Sequence, residues 1–141
     1  MLVYVNAKDG FIPTYANKDD VGADLKAYIE GRVRLNPGEW YCFPSGVKIA
    51  LPHAIGGFVR SRSGLARKHA VVVLGDGTID PGYRGEIGIT LINHGKQPYI
   101  VSPGDRIAQL VLVNVSIGWF AQVDYLPNTE RGDNGFGSTG V

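Results

Sequence analysis

The stretch Arg131–Gly140, RGDNGFGSTG, combines residue types that suit a polyphosphate carrying a planar base. Its four glycines leave backbone N–H groups accessible to phosphate oxygens. Arg131 can form bidentate, charge-assisted bonds to phosphate, and Phe136 can stack on a nucleobase. A frayed, glycine-rich C-terminus is the alternative interpretation. The choice between them depends on what other segments can contribute.

A second polar segment, SRSGLARKH, covers Ser61–His69 and follows a predicted strand. Ser63 and the N–H groups after it would open a helical turn, which is a natural place for an anion. Arg62 adds a positive charge beside that turn. The alternative is a polar strand end with solvated cations.

The segment GTIDPGYRGE predicts a hairpin that turns at Pro81-Gly82. Asp80 precedes the proline, so its backbone is extended and its side chain points outward. An outward carboxylate beside phosphates can act as general base on a water molecule, and Tyr83 can lie flat against a sugar. In the alternative, Asp80 only helps to form a type II turn.

Two polar residues interrupt apolar strand patterns. Asp24, in GADLKA, is unusual because aspartate is depleted in strands. It can hold a hydrated Mg²⁺ ion or be a charge on an edge strand. Gln109, in GDRIAQLVL, either forms hydrogen bonds in the core or points into a site. Asp105 and Arg106 are expected to pair with each other at the entrance of that strand.

Strands must position these residues, because apolar, β-branched and aromatic runs recur between turn residues. The 20 glycines and 8 prolines limit helix length, and Ser63–His69 is the one helical turn predicted. The pattern predicts an all-β barrel or double-sheet roll over residues 1–126, followed by a mobile, polar arm over 127–141. The predicted strands are Leu2–Val5, Glu39–Phe43, Gly46–Leu51, Gly57–Ser61, Ala70–Leu74, Glu86–Asn93, Pro98–Val101, Arg106–Val115 and Trp119–Leu126.

Composition sets further limits. The chain has 141 residues, 44% of them hydrophobic, and a net charge of +1, so no global field favours nucleic acid or membrane as a partner. Cys42 is the only cysteine, which fits a reducing compartment, and we expect it to be a core thiol. The N-terminus lacks a signal-peptide pattern, and no apolar run approaches the ~20 residues of a membrane helix. A cytoplasmic protein is expected.

Together, ADLKA, RSGLA, GTIDPGYRGE, GDRIAQLVL and RGDNGFGSTG resemble the five ordered motifs of the trimeric dUTP pyrophosphatases, the dUTPases. They follow the family's order and spacing from about Val21 to Gly140. The resemblance implies a jelly-roll β-barrel and a homotrimer in which each active site draws on more than one subunit, with the C-terminal arm closing over a neighbour's site. It implies Mg²⁺-dependent hydrolysis of dUTP to dUMP and pyrophosphate, which keeps uracil out of DNA and supplies dUMP for dTTP synthesis.

The resemblance also implies roles for individual residues. Asp80 would orient or deprotonate the water that attacks the α-phosphorus, and Tyr83 would pack under the deoxyribose. Asp24 would bond waters of the Mg²⁺ shell. The implied substrate-binding residues are completed by Gly77, Thr78 and Ile79 at the uracil, Arg62, Ser63, Gly64 and Gln109 at the phosphates, and Arg131, Phe136, Gly137, Ser138 and Thr139 in the arm, where Phe136 would cap the base.

Three positions depart from the family's pattern. Ser61 stands where proline is common, Asn134 where glycine is usual, and Gly88 lacks a side chain that some relatives use near the substrate. dCTP deaminase is the nearest alternative, but the position of its essential glutamate is Ile92 here. A non-catalytic nucleotide-binding module is the second alternative, and the presence of Asp80 argues against it.

Overall fold

The computed structural model describes residues 1–75 and 77–134. They form eleven strands and one short helix, which confirms the predicted all-β fold. The strands are β1 (Tyr4–Ala7), β2 (Gly22–Lys26), β3 (Val33–Leu35), β4 (Trp40–Pro44), β5 (Val47–Ala50), β6 (Ile55–Ser61), β7 (Val71–Val73), β8 (Thr78–Ile79), β9 (Gly88–Asn93), β10 (Tyr99–Val101) and β11 (Arg106–Asn114). The helix α1 (Ser63–His69) joins β6 to β7, where a helical turn was expected.

The strands pair antiparallel in small sheets around one core. The largest sheet has the order β2-β11-β6-β8, and a second has the order β4-β9-β7. Two further pairs, β1-β5 and β10-β3, complete the described sheets, which do not close into one hydrogen-bonded barrel within the described residues. The nine-residue β11 is flanked by β2 on one edge and β6 on the other. It therefore sets the register between the segments that carry the candidate site.

The core follows from the two-residue period of strands, in which alternate side chains face the same side. In β9, Ile89, Leu91 and Asn93 are buried and the residues between them are not. The buried Asn93 side chain is satisfied, because its amide donates to the carbonyls of Leu35 and Gln97 at 2.9 and 2.8 Å. Burial of each Ile or Leu side chain contributes about 1.5–3 kcal/mol to the free energy of folding. The buried cluster to which β9 contributes is therefore the main source of stability.

Two expectations about packing are wrong. The segment Trp119–Leu126 contains no strand, although its sequence pattern predicted one. Its apolar side chains find no cover among the described residues, and Trp119 is 100% exposed. A strand needs a hydrogen-bonding neighbour, and the described part of the chain provides none there. Cys42 was expected in the core but is exposed, as are the two residues before it in β4, Trp40 and Tyr41.

Across the described ranges, no helix has the length and apolar content needed to cross a membrane.

Candidate functional site

The buried carboxylate of Asp24 is the centre of a polar cluster. It is 5% exposed and lies in β2 directly opposite Gln109 of β11. Its Oδ2 accepts a hydrogen bond from Arg106 Nη1 at 3.1 Å. Its Oδ1 lies 3.4 Å from both Arg62 Nε and Gln109 Nε2. The two guanidinium groups offset the cost of burying the charge.

The expectation of a local Asp105–Arg106 pair is wrong. The Asp105 carboxylate accepts from the backbone N–H of Ser102 at 2.8 Å, as a turn-forming aspartate does. Arg106 is thereby available to the more distant Asp24. Sequence reasoning therefore missed Arg106 as a member of the cluster, because pairing between neighbours in sequence offered a sufficient partner.

Arg62 is fixed at the start of α1. Its Nη1 donates to the Arg106 carbonyl at 2.8 Å, while its Nε faces Asp24. Ser63 and Gly64 follow it, both exposed, and the N–H groups that open a helix have no carbonyl partner within the helix. A held guanidinium, an exposed hydroxyl and backbone donors therefore lie together, and their use as an anion site stays a prediction.

The backbone before Asp80 offers hydrogen-bonding groups at a sheet edge. Gly77 has φ +51°, and a Cβ there would lie 2.7 Å from Val59 Cβ, so only glycine fits. The Gly77 carbonyl accepts from Val59 N–H at 3.1 Å, across to β6. Because backbone groups of successive residues alternate in direction along a strand, the N–H and C=O of Thr78 face away from β6. β8 is the last strand of its sheet, so one donor and one acceptor are presented at its outer edge.

Ile79 presents neither its side chain nor, by the same alternation, its backbone groups to the outer edge of β8. Its side chain is 5% exposed and packs in the hydrophobic core. Ile79 thereby anchors β8, so that the exposed Thr78 before it and the exposed Asp80 after it start from a fixed position.

The turn at Pro81-Gly82 is present, but the predicted hairpin is not. Tyr83 N–H donates to the Asp80 carbonyl at 3.0 Å and closes the turn. Gly82 does not adopt the positive φ that a type II turn requires. β8 pairs with β6, whereas β9 pairs with β4 and β7, so the two strands around the turn are not each other's partners.

The cluster around Asp24 and the turn at Asp80 lie at different ends of β6. Ile79 is opposite Gly57, and Arg62 comes five residues after Gly57. At about 3.3 Å per residue this corresponds to roughly 16 Å along the strand. Among the described residues, no hydrogen bond or ion pair joins residues 78–87 to Asp24, Arg62 or Gln109. One chain therefore does not bring the candidate general base to the candidate phosphate site.

The described part of the C-terminal arm ends at Asn134. Arg131 is exposed, and its Nε donates to the Asn134 carbonyl at 3.0 Å. Gly132 N–H donates to the Thr129 hydroxyl at 3.1 Å, which makes a local turn. The arm residues predicted to contact the substrate beyond this point lie outside the described residues; they are Phe136, Gly137, Ser138 and Thr139.

Ser61 and Gly88, two of the positions that depart from the family's pattern, each contact a residue of a neighbouring strand. The Ser61 hydroxyl accepts from Val73 N–H at 2.8 Å and so joins β6 to β7. A Cβ at Gly88 would lie 2.9 Å from Cys42 Sγ, so the glycine leaves the room that the Cys42 side chain occupies.

The residues present fit an indirect contact with Mg²⁺. Across the described ranges, no group of three or more His, Cys, Asp or Glu side chains could hold a metal ion. Asp24 supplies one carboxylate, already faced by two arginines. Mg²⁺ keeps several waters and takes few protein carboxylates when a phosphate ligand supplies the rest. Asp24 can therefore meet such an ion through its water shell and not as part of a protein cage.

Comparison with known proteins gives a consistent result over nearly the whole chain. The sequence pattern of the dUTPase family matches residues 8–140. A protein of Desulfitobacterium hafniense named deoxyuridine 5'-triphosphate nucleotidohydrolase is 47% identical over 132 residues, covering 92% of this chain and 87% of that protein. One of the same name from Leifsonia xyli subsp. xyli is 48% identical over 131 residues, covering 92% and 85%.

The solved structures that resemble this chain are also dUTPases. A mutant of the dUTPase of Staphylococcus bacteriophage 80alpha, described with dUpNHpp, has a TM-score of 0.89 and 28% identity, covering 99% of both chains. A dUTPase variant of the Staphylococcus aureus phage phi11, described as coordinating a structural Mg(II) ion, has a TM-score of 0.79 and 26% identity, covering 89% of this chain and 98% of that one.

Proposed function

This chain belongs to the dUTPase family, and on that premise we propose that it hydrolyses dUTP to dUMP and pyrophosphate with Asp80 as the base. The observation that carries the proposal is the segment from Gly77 to Tyr83. Within seven residues it presents the backbone donor and acceptor of Thr78, the exposed carboxylate of Asp80 and the ring of Tyr83, which is 44% exposed. These groups match a base edge, a water nucleophile and a sugar.

Base selection rests on the outer edge of β8. The Thr78 N–H would donate to uracil O4, and the Thr78 carbonyl would accept from uracil N3–H. Cytosine presents an amino group and an unprotonated ring nitrogen at the same positions, which leaves both backbone groups unpaired. A site whose donor and acceptor are matched to its substrate strongly rejects an analogue that leaves both groups unpaired.

Hydrolysis rests on Asp80. The exposed carboxylate would accept a proton from a water molecule as that water attacks the α-phosphorus, and pyrophosphate would leave on the opposite side. Tyr83 would lie under the deoxyribose, where a ribose 2′-hydroxyl would meet the ring. Positioning and charge neutralisation carry most of the rate enhancement in phosphoryl transfer.

The triphosphate would bind at Arg62, Ser63, Gly64 and Gln109. Arg62 and Gln109 are held by Asp24, so these donors are arranged before substrate arrives. Asp24 would contact waters of Mg²⁺ on the triphosphate, and the bound ion would neutralise charge that develops in the transition state. Arg131 would reach the γ-phosphate, Phe136 would cap the uracil, and Gly137, Ser138 and Thr139 would wrap the phosphates.

A homotrimer would complete the site. The separation of roughly 16 Å along β6 supports a site that takes Asp80 and Tyr83 from one subunit and Arg62 and Gln109 from another. The apolar segment around Trp119 supports the same assembly, because Trp119 and Phe120 are fully exposed in the single chain. Large exposed apolar surfaces mark interfaces. Packing of this segment on a neighbouring copy would carry the arm toward that neighbour's site.

The remaining expectations follow from this activity. A nucleotide hydrolase with one cysteine is expected to act in the cytoplasm, on free dUTP and without direct contact with nucleic acid or membrane. Deamination is not proposed, because Ile92, half-buried in β9, occupies the position of the glutamate that it requires.

The test is pyrophosphate release from dUTP, dCTP, dTTP and UTP, with and without Mg²⁺, together with ammonia release from dCTP. The proposal expects release from dUTP that depends on Mg²⁺ and little from the other three. Ammonia from dCTP would support deamination. Tight binding of dUTP without pyrophosphate would support a binding module.

A further inference from the structure

The ring of Tyr83 occupies the space that a side chain at position 85 would need. A Cβ at Gly85 would overlap the Tyr83 hydroxyl and lie 2.5 Å from its Cζ and 2.9 Å from its Cε2. Real Cβ atoms do not approach other atoms so closely, so the ring can take this position only because residue 85 is glycine. Tyr83 is therefore folded back over its own turn, while the rest of the ring stays exposed.

The hydroxyl of Tyr83 is bonded to a fixed point. It donates to the Glu86 carbonyl at 2.9 Å. Glu86 is itself attached to the turn between β4 and β5, because its Oε1 accepts from Gly46 N–H at 2.7 Å. The next residue, Ile87, is buried and donates its N–H to the Val47 carbonyl at 2.8 Å. These contacts with Gly46 and Val47 fix the position of the Glu86 carbonyl, which in turn binds the Tyr83 hydroxyl.

We propose that Gly85 is a positioning residue, which together with the Glu86 carbonyl forms a seat for the Tyr83 ring and so sets the rejection of ribonucleotides. This inference rests on the proposed function, in which Tyr83 lies under the deoxyribose. A ring that lies over Gly85 and is bonded at its hydroxyl resists displacement by a 2′-hydroxyl. A ring that has lost its seat loses its contact with deoxyribose and can make room for ribose.

The direct test compares Gly85→Ala with the wild-type protein on dUTP and UTP. The ratio of kcat/KM for dUTP to kcat/KM for UTP is expected to fall about tenfold, the scale of one lost contact in a specificity pocket. Gly82→Ala is the matched control, because it lies in the same turn, has no positive φ and has no atom within 4 Å of an added Cβ. Its ratio is expected to match the wild type.

Tyr83→Phe supplies a second variant that tests the seat without crowding the turn. It keeps the ring and removes the bond to Glu86, and it is expected to fold because Tyr83 is an exposed residue. Its dUTP-to-UTP ratio is expected to fall in the same direction as that of Gly85→Ala, by a smaller factor. Calorimetric binding of dUMP and UMP measures the same preference without turnover. An unchanged preference in either folded variant overturns the proposal.

The same measurements distinguish a failure of the proposed function from a failure of the role of Gly85. If the wild-type protein does not hydrolyse dUTP, or does not prefer it to UTP, the proposed function fails. If the wild type discriminates and Gly85→Ala discriminates equally well, only the seat fails.

Discussion

Arg106 Nη1 lies 3.1 Å from Asp24 Oδ2, and this ion pair joins the start of β11 to the middle of β2. Asp24 also faces Arg62 and Gln109, so one buried carboxylate organises the donors of the proposed phosphate site. The side chain of Arg106 is 52% exposed, whereas Asp24 is 5% exposed. The arginine therefore lies at the rim of the cluster and closes it from the solvent side.

Replacing Arg106 with methionine is expected to destabilise the protein. Removing one partner leaves a buried carboxylate with less compensation, but Arg62 remains and Arg106 is half exposed, so we expect a loss of about 1–2 kcal/mol. Urea unfolding followed by circular dichroism measures it. Arg67→Met, at an exposed position in α1, is the control and is expected to change stability by less than about 0.5 kcal/mol. Equal stability of the two variants would contradict the role of Arg106.

Asp80→Asn is expected to lower kcat for dUTP by a factor of about 10²–10⁴, because the amide cannot accept the proton of the attacking water. Binding of dUTP should persist, since the change is nearly isosteric and the exposed residue supports no packing. Pyrophosphate release and calorimetry measure the two quantities. Asp19→Asn, in an exposed loop, is the control. Normal turnover by Asp80→Asn would remove this residue from the mechanism.

Mixing two inactive variants tests whether the site is shared between subunits. Asp80→Asn and Arg62→Ala are each expected to be inactive, and equal amounts that exchange subunits should regain activity in about one site in four. That fraction follows because only one ordered combination supplies both native residues. Turnover of the mixture, before and after subunit exchange, is the measurement. No recovery after demonstrated exchange would place the whole site in one chain.

Trp119→Glu is expected to dissociate the proposed trimer. Trp119 is 100% exposed in the single chain, and its burial between subunits would make a charge at that position costly. Sedimentation velocity at low micromolar concentration distinguishes trimer from monomer. Lys18→Glu, at an exposed loop position, should leave the assembly intact. A trimer that tolerates glutamate at 119 would show that this segment lies outside the interface.

Ending the chain after Thr129 is expected to reduce turnover sharply and leave a folded trimer. The residues removed carry Arg131 and Phe136, whereas the last strand among the described residues ends at Asn114. The measurements are kcat/KM for dUTP and sedimentation of the truncated protein. Full activity after truncation would mean that the arm has no part in catalysis.

Local sequence features predicted much of the fold. The helical turn at Ser63 and the turn at Pro81-Gly82 were predictable because glycine, proline and serine act on the nearest few residues. Strand positions were predictable within a few residues, although the three-residue β3 (Val33–Leu35) was missed. Trp119–Leu126 was predicted as a strand from its pattern, but the described part of the chain offers it no partner.

The sequence by itself determined the all-β class and placed Asp80 after a strand and before a proline, whereas the phosphate-binding residues that it indicated stay a prediction. Only the tertiary structure decided that Arg106 meets Asp24, 82 positions away, and not its neighbour Asp105. It also decided that the Thr78 backbone faces outward and that Asp80 lies apart from Arg62. The physical reason is that these relationships depend on the register between strands distant in sequence, which local pattern does not determine.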